Sequence, residues 1–166
     1  MHLLNRLYDL PEENGRITIG GVNIADMKAS WVRQNIGMVL QEPFLFSRTI
    51  AENIGIASRE LQMEDIRRAA KIACVDEAIS EFSNGYETVV GERGVTLSGG
   101  QKQRTAIARM LTQRAPIMVF DDSLSAVDAE TDAKIRQALR KNLGDSTVIL
   151  ISHRVTTLMQ AECIMV

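Results

Sequence analysis

Short apolar runs along the chain predict strands, and the stretches between them have helical periodicity. Three runs, at residues 36–40, 117–120 and 147–151, contain almost no charged or strongly polar side chain. Runs of this length and composition are typical of strands buried in a parallel sheet. Parallel neighbours need a crossover connection, which is usually a helix. We therefore predict an α/β fold with a mostly parallel sheet.

Helical spacing is clearest between residues 49 and 82. One face of this segment is apolar and the opposite face is charged, which is the pattern of helices that pack on a core. The apolar positions are Ile66, Ala69, Ala70, Ala73 and Cys74. We expect this segment to form a helical lobe, and a further helix to cover residues 129–142.

The first part of the chain predicts smaller elements. Three leucines among the first seven residues predict the apolar face of a helix. Residues 16–24 predict two short strands around a pair of glycines. A helix is expected over residues 28–34, with Trp31 and Val32 buried.

Length and composition limit the classes of protein to consider. The 166 residues suffice for one domain, or for one domain with a small added lobe. A net charge of -2 argues against a nucleic acid partner. No apolar run is long enough to cross a bilayer, and the opening is too short and too charged for a signal peptide, so we expect the chain to stay in the cytosol. Cys74 and Cys163 are expected to be buried free thiols.

An anion-binding helix start is the first candidate site. Ser98 occupies an N-cap position and Gln101 follows three residues later, which is the spacing of a capping box. Gly99 and Gly100 carry no side chain, so N–H groups and the positive end of the helix dipole remain accessible. A phosphate group fits such a helix start. Alone, the pattern is also compatible with an ordinary capped helix.

Two acidic residues follow the second apolar run. Asp121 and Asp122 stand at the predicted carboxyl end of a buried strand. Ligands of open α/β sheets bind at that edge, and carboxylates there can hold a divalent cation. Alternatively, the two carboxylates cap the next helical segment. The buried strand in front of them favours the cation site.

Together, residues 97–101, the apolar run and the paired acids resemble the signature and Walker B segments of ATP-binding cassette transporters. Residues 41–54 resemble the Q-loop region of exporters in this family, and residues 123–128 resemble its D-loop. His153, after the third apolar run, resembles the switch histidine. The resemblance implies a RecA-like P-loop NTPase core with an inserted α-helical lobe.

The resemblance also implies ATP and Mg²⁺ as ligands, and a role for each matching residue. Asp121 would hold Mg²⁺ through a water, and Gln41 would approach Mg²⁺ and the attacking water. His153 would contact the γ-phosphate, and Asp122 would act as the base that orients the water. Asp128 would reach the opposite subunit, together with the signature residues Ser98, Gly99, Gly100 and Gln101. Asp128 can equally cap the helix predicted at residues 129–142, and the two roles are compatible.

Asp122 departs from the family pattern, which usually has glutamate at this position. Aspartate is one methylene shorter, so its oxygens fall back from the water, and a displacement near 1 Å can cost on the order of a hundredfold in rate. In heterodimeric exporters one half commonly carries aspartate here. Residues 91–94 resemble a short exporter loop, in which we expect Glu92 to contact the transmembrane partner.

The sequence does not contain the family's phosphate-binding loop. Residues 3–9 match the segment that directly follows that loop, and none of the eleven glycines is followed by lysine. We therefore expect the chain to be cut before residue 1 and, because it closes on an apolar run, after residue 166. Residues 1–47 and 105–166 are predicted to form the core, and residues 48–104 the helical lobe.

Three functions are compatible with these observations. The first is ATP hydrolysis that powers export, in a dimer with a second nucleotide-binding domain, on a transmembrane domain at the cytoplasmic face of the cell membrane. The second is a regulatory half that hydrolyses ATP slowly and whose signature completes the partner's active site. A soluble cassette ATPase of chromosome maintenance or translation is disfavoured by the exporter-like segments. We expect the 166 residues alone to have negligible ATPase activity.

Overall fold

Three parallel strands form the central sheet in a computed structural model, which describes residues 2–57, 61–91, 95–144, 146–159 and 161–165. They are β3 (Ile36–Val39), β4 (Ile117–Asp121) and β5 (Thr147–Ile151), in the order β3-β4-β5. The register aligns Val39 with Phe120 and Phe120 with Leu150. All three strands therefore end at the same edge of the sheet, and the prediction of a mostly parallel sheet is confirmed.

The strands differ in how far they are buried. β4 lies in the middle, and its central residues are inaccessible to solvent, as the sequence predicts. β5 is more exposed than predicted, with Val148 at 40% and Ile151 at 37% of their full accessibility. Among the described residues β5 pairs only with β4, so one side of this strand stays uncovered despite its apolar sequence.

Helices cover the sheet and form a layer beside it. A short antiparallel hairpin of β1 (Thr18–Ile19) and β2 (Val22–Asn23) precedes them, as predicted. None of the helices in the described part of the chain is long and apolar enough to cross a bilayer. In chain order they are α1 (Ala29–Asn35), α2 (Ile50–Gly55), α3 (Met63–Ile72), α4 (Asp76–Ser80), α5 (Gly99–Thr112), α6 (Ala129–Asn142) and α7 (Val155–Leu158).

The largest hydrophobic core forms around α5. Ile107 on this helix is fully buried, and it belongs to one cluster with Ile50 and Ile54 of α2, Ala70 of α3 and Met118 of β4. Burial of an aliphatic side chain of this size contributes about 1.5–3 kcal/mol. α5 therefore connects the helices of residues 50–80 to the sheet, and its two ends are fixed relative to both.

Three sequence expectations near the ends of the chain and in α1 are wrong. Residues 2–8 form turns instead of a helix, with Arg6 at φ +50°, where its guanidinium group donates to the Met27 carbonyl at 2.6 Å. Trp31 is 45% exposed, whereas Val32 is buried, because consecutive residues of a helix point about 100° apart. Cys74 and Cys163 are free thiols, as predicted, but their predicted burial is wrong, since Cys163 is exposed and Cys74 is half-buried.

Candidate functional site

The turn at the start of α5 has the predicted capping box. The Ser98 hydroxyl accepts a hydrogen bond from the Gln101 N–H at 3.2 Å, and the Gln101 side chain accepts one from the Ser98 N–H at 2.9 Å. Ser98 and Gly99 are exposed, and Gly100 and Gln101 are half-buried. We refer to these four residues as the signature turn. The box leaves the N–H groups of Gly99 and Gly100 outside its two bonds.

The two glycines of the signature turn have different surroundings. A Cβ on Gly100 would lie 2.9 Å from the carbonyl oxygen of Ala126, closer than real Cβ atoms approach other atoms. A Cβ on Gly99 would lie 3.5 Å from the Cβ of Ala126, which is an ordinary contact. Gly100 is therefore required for packing within the chain, whereas Gly99 keeps the exposed face of the turn open.

Four sequence-predicted residues lie at the carboxyl edge of the sheet. Asp121 is the last residue of β4 and pairs with Ile151, and the N–H of Asp122 donates to the Ile151 carbonyl at 2.9 Å. Gln41 follows β3 after one residue, and His153 follows β5 after one residue; both side chains are exposed. Neighbouring strands are about 4.8 Å apart, so the structure brings these residues to one short stretch of the edge. We call Gln41, Asp121, Asp122 and His153 the edge group.

Asp122 has an uncommon backbone conformation. Its φ is +44°, in the left-handed region that residues other than glycine, asparagine and aspartate seldom occupy. The carbonyl of Asp122 accepts a hydrogen bond from the Ser125 N–H at 3.1 Å. This turn directs the chain away from β4 at once, so that residues 123–128 run towards the signature turn.

Asp128 caps helix α6. Its carboxylate accepts a hydrogen bond from the Thr131 N–H at 2.9 Å, and this bond lowers the pKa of Asp128. From the other side Arg154 donates to the carbonyl oxygens of Ser125 at 2.9 Å and Val127 at 3.4 Å. The 123–128 segment is thus held at Ser125, Val127 and Asp128, and the capping role that the sequence suggested for Asp128 is confirmed.

Gln103 is a residue that the sequence analysis missed. It is only 3% exposed, although it lies close to the signature turn. Its side-chain NH₂ donates to the Gln41 carbonyl and to the Ser125 hydroxyl, both at 3.1 Å, and its side-chain oxygen accepts from the Ala126 N–H at 3.0 Å. Its position in the sequence was the one indication that Gln103 is buried. Residues 103, 106, 107 and 110 have the i, i+3, i+4, i+7 spacing of the buried face of α5.

Further along α5, Arg109 fixes the segment that follows Gln41. Its guanidinium group donates to the Phe44 carbonyl at 2.8 Å and to the backbone and side-chain oxygens of Asn53 at 2.8 and 2.9 Å. Burial lowers the pKa of Arg109. Phe44 is 70% and Phe46 41% exposed, whereas Leu45 packs on the core. The two exposed rings form an apolar surface on a rigid support.

Of the exporter-like loop at residues 91–94, the structure describes only the first residue. Gly91 has a φ of +113°, and a Cβ there would lie 2.6 Å from the hydroxyl oxygen of Ser47. This loop therefore begins against the 41–54 segment. Glu92 lies outside the described residues.

The edge group has the chemistry that Mg²⁺ prefers. Mg²⁺ is bound by hard oxygen ligands, usually one or two carboxylates together with substrate phosphates and waters. Asp121 offers a half-exposed carboxylate and Gln41 an amide oxygen. The described residues contain no group of three or more acidic, histidine or cysteine side chains that could enclose a metal. The donor set fits an ion that arrives with a phosphate ligand.

Comparisons with known proteins agree with this geometry. Residues 2–125 match the family model described as ABC transporter. The chain is 45% identical over 164 residues to a putative multidrug export ATP-binding/permease protein of Bacillus subtilis, covering 99% of this chain and 28% of that protein. It is 43% identical over 166 residues to an ATP-dependent lipid A-core flippase of Pasteurella multocida, covering 99% of this chain and 28% of that protein.

A solved structure is also similar. It is described as a bacterial Atm1-family ABC exporter with ATP bound, and it superimposes with a TM-score of 0.91 at 39% sequence identity. The match covers 96% of this chain and 28% of that chain. This chain therefore spans little more than a quarter of these relatives. Family model, relatives and fold agree that the chain belongs to the ATP-binding cassette transporter family, in which it corresponds to the ATP-binding domain.

Proposed function

We propose that this chain binds and hydrolyses ATP to power the export of a substrate, as part of the nucleotide-binding domain of an exporter. The observation that carries the proposal is the convergence of Gln41, Asp121, Asp122 and His153 at one sheet edge, beside a signature turn that is exposed and free of side chains at Gly99. Phosphoryl transfer to water depends on positioning and electrostatics, which such an edge provides.

Each member of the edge group has a proposed role. Asp121 and Gln41 would hold Mg²⁺, which when bound would neutralise charge on the phosphates. Asp122 orients the attacking water, and His153 contacts the γ-phosphate. The exposure of Gln41 and His153 supports these roles, since both side chains are free to turn towards a ligand.

The signature turn serves a second copy of the domain or a related one. In this proposal the two domains meet head to tail, and each ATP lies between the edge group of one and the signature turn of the other. Asp128 belongs to the same surface, because Gly100 packs on Ala126 within the 123–128 segment. Ser98 then reaches the partner's nucleotide and not its own.

A transmembrane partner completes the proposed assembly, at the cytoplasmic face of the cell membrane. Phe44 and Phe46 support this part of the proposal, because exposed aromatic residues that lie together mark interaction surfaces. The division into a core and a lobe at residues 48–104 is consistent with α2, α3 and α4 packing beside α5.

A second candidate function is the regulatory half of a heterodimer. Asp122 favours it, because the shorter carboxylate stands on a left-handed turn that is tied to Ile151 and cannot easily move outwards. The signature turn is intact, so this half would complete the partner's active site while its own site turns over slowly.

One substitution, at Asp122, distinguishes the two candidate functions experimentally. The protein to use is this chain preceded by a phosphate-binding loop and strand of the family, which we call the extended domain, assembled with its partner domain. Asp122→Glu is expected to raise the turnover of ATP by about 10- to 100-fold if the missing methylene limits the rate. An unchanged rate would contradict the positioning role of Asp122 and with it the regulatory candidate.

The 166 residues alone provide a complementary test. Without a lysine and a glycine-rich loop to hold the β- and γ-phosphates, they are expected to bind Mg-ATP poorly and to hydrolyse it at a negligible rate. Isothermal titration calorimetry measures this directly. Micromolar binding by the isolated chain would contradict the proposed division of roles.

A further inference from the structure

We propose that Gln103 is a positioning residue, whose side-chain amide ties the Gln41 backbone and the 123–128 segment to the signature helix α5. It makes the geometry of the edge group depend on the position of the signature turn. This inference rests on the proposed ATPase function, since it describes how the edge group of one ATP site is held in register with the signature turn that the same chain contributes to the other site.

The hydrogen bonds of Gln103 involve three separate parts of the chain. Both N–H groups of its NH₂ are used, one on the Gln41 carbonyl and one on the Ser125 hydroxyl, and its oxygen accepts from the Ala126 N–H. The partners stand 62, 22 and 23 residues away in sequence. A single buried amide therefore joins α5, the segment after β3 and the segment after β4.

Because Gln103 lies near the start of α5, its hydrogen bonds can transmit a displacement of this helix to their partners. Gln103 lies two residues after Gln101, so it moves with the signature turn as one rigid helix end. Gly100 touches the carbonyl of Ala126 from the same side. A displacement of α5 is thus passed to Ala126 through the backbone contact, and to Gln41 through the Gln103 amide.

These bonds position more than they stabilise. Gln41, Ser125 and Ala126 are all exposed, so water can replace the lost partner of each group when Gln103 is changed. A misplacement of about 1 Å in reacting groups can cost a factor of about 100 in rate. The effect of removing the amide should therefore fall on turnover much more than on folding.

Gln103→Met is the variant to test, because methionine has a similar length and no comparable hydrogen-bonding group. Thr112→Val is the matched control. Thr112 is also a buried polar residue of α5, at the end of the helix away from the signature turn. Its hydroxyl lies within hydrogen-bond distance of two carbonyl oxygens, that of Arg109 at 2.7 Å and that of Ile54 at 3.0 Å. Both variants remove a buried polar group from the same helix, but only Gln103→Met loses hydrogen bonds to Gln41 and to the 123–128 segment.

The first measurement uses the 166-residue chain and does not depend on ATP. Amide hydrogen exchange of residues 122–127 is expected to become about fivefold faster in Gln103→Met, because the Ala126 N–H loses its partner. In Thr112→Val it should not change. Unchanged exchange in Gln103→Met would overturn the proposed tie, whatever the function of the protein.

The second measurement uses the extended domain with its partner. Gln103→Met is expected to lower kcat by about 10- to 100-fold and to change the KM for ATP by less than about twofold, since Gln103 does not reach the nucleotide. Thr112→Val should keep the parent kcat. A kcat of Gln103→Met equal to that of the parent would overturn the proposal.

A double-mutant cycle separates positioning from general weakening. Ser125→Ala removes one partner of Gln103, and the combined variant is expected to lose no more activity than Gln103→Met alone. Additive losses would contradict a shared network. If the parent extended domain hydrolyses no ATP, the proposed function fails, while the exchange measurement still decides whether Gln103 holds the segment.

Discussion

Two helices of this protein begin with the same capping box and present different surfaces. At α2 Thr49 and Glu52 exchange bonds of 3.1 and 2.9 Å, and at α5 Ser98 and Gln101 exchange bonds of 3.2 and 2.9 Å. The backbone geometry of the two caps is nearly identical, with φ of -64° at Thr49 and -62° at Ser98. The difference lies in the charge and size of the other side chains in the first turn.

The first turn of α2 is already neutralised by its own side chain. Glu52 places a carboxylate at the positive end of the helix, and the hydrogen bond from the Thr49 N–H lowers its pKa. Ile50 and Ala51 fill the rest of the turn and are buried. The carboxylate of Glu52 would repel an anion at this helix start, and the side chains of Ile50 and Ala51 leave no space for one.

The first turn of α5 carries no acidic side chain and is exposed at Gly99. Gln101 closes the capping box without a negative charge, and Gly99 and Gly100 leave the backbone uncovered. A capping box alone therefore does not indicate that a helix start binds a ligand. A neutral residue at its fourth position and bare glycines within it are what leave the helix dipole available to a phosphate.

Exchanging the two fourth-position residues should have the largest effect. Gln101→Glu is expected to lower ATP hydrolysis by the extended domain about 100-fold, because a carboxylate would repel the triphosphate from its helix start. The reciprocal change Glu52→Gln should leave hydrolysis unchanged. Steady-state ATPase assays check both, and equal activities of the two variants would contradict an anion site at α5.

Substitutions of the two glycines of the signature turn should have different effects on stability. Gly99→Ala is expected to lower hydrolysis about tenfold, because its methyl group enters the exposed face, while the melting temperature stays the same or rises, since alanine favours a helix by about 1 kcal/mol. Gly100→Ala should lower both activity and melting temperature, because its Cβ would meet the Ala126 carbonyl. Thermal melting and ATPase assays in parallel measure the pair; a loss of stability in Gly99→Ala would refute the assignment.

The smallest expected effect is a difference in pH dependence. Glu52 has a lowered pKa, so the stability from its ionised form is present above its ordinary pKa of 4.5 and is lost as the pH falls through the lower folded value. Glu52→Gln should therefore lower the melting temperature slightly at pH 7, and the difference from the unchanged protein should shrink as the pH falls below 4.5. The Ser98–Gln101 box carries no titrating group and should show no such pH dependence. Melting curves between pH 3 and 7 measure the two proteins. A difference in melting temperature as large at pH 3 as at pH 7 would contradict the role given to the Glu52 carboxylate.

The sequence predicted the parts of the fold that follow from local pattern. The three parallel strands, the capping box of α5 and the cap at Asp128 all depend on periodicity or on spacing over a few residues. The exposure of Trp31 could not be predicted, because apolar residues lie on both faces of the short helix α1. The exposure of β5 could not be predicted either, because an apolar strand looks the same whether its free edge is covered or not.

The edge group was recognisable by resemblance, but the residues that hold it were not. Gln103, Arg109 and Arg154 look like surface residues in the sequence, because their partners lie 22 to 65 positions away. A buried polar side chain becomes visible only when the fold brings its distant partners together. The Gln103 position on the apolar stripe of α5 was the one local indication.

Mixed dimers of the extended domain show whether the signature turn acts on the nucleotide of the opposite copy. One copy carries Gln101→Glu and the other Asp121→Asn, with two affinity tags to purify the mixed species. Each variant alone should be nearly inactive. We expect hydrolysis to return in the mixed dimer, because one site then combines an intact Asp121 with an intact signature turn from the other copy. A mixed dimer as inactive as its two parents, beside an active unmodified dimer with the same tags, would contradict it.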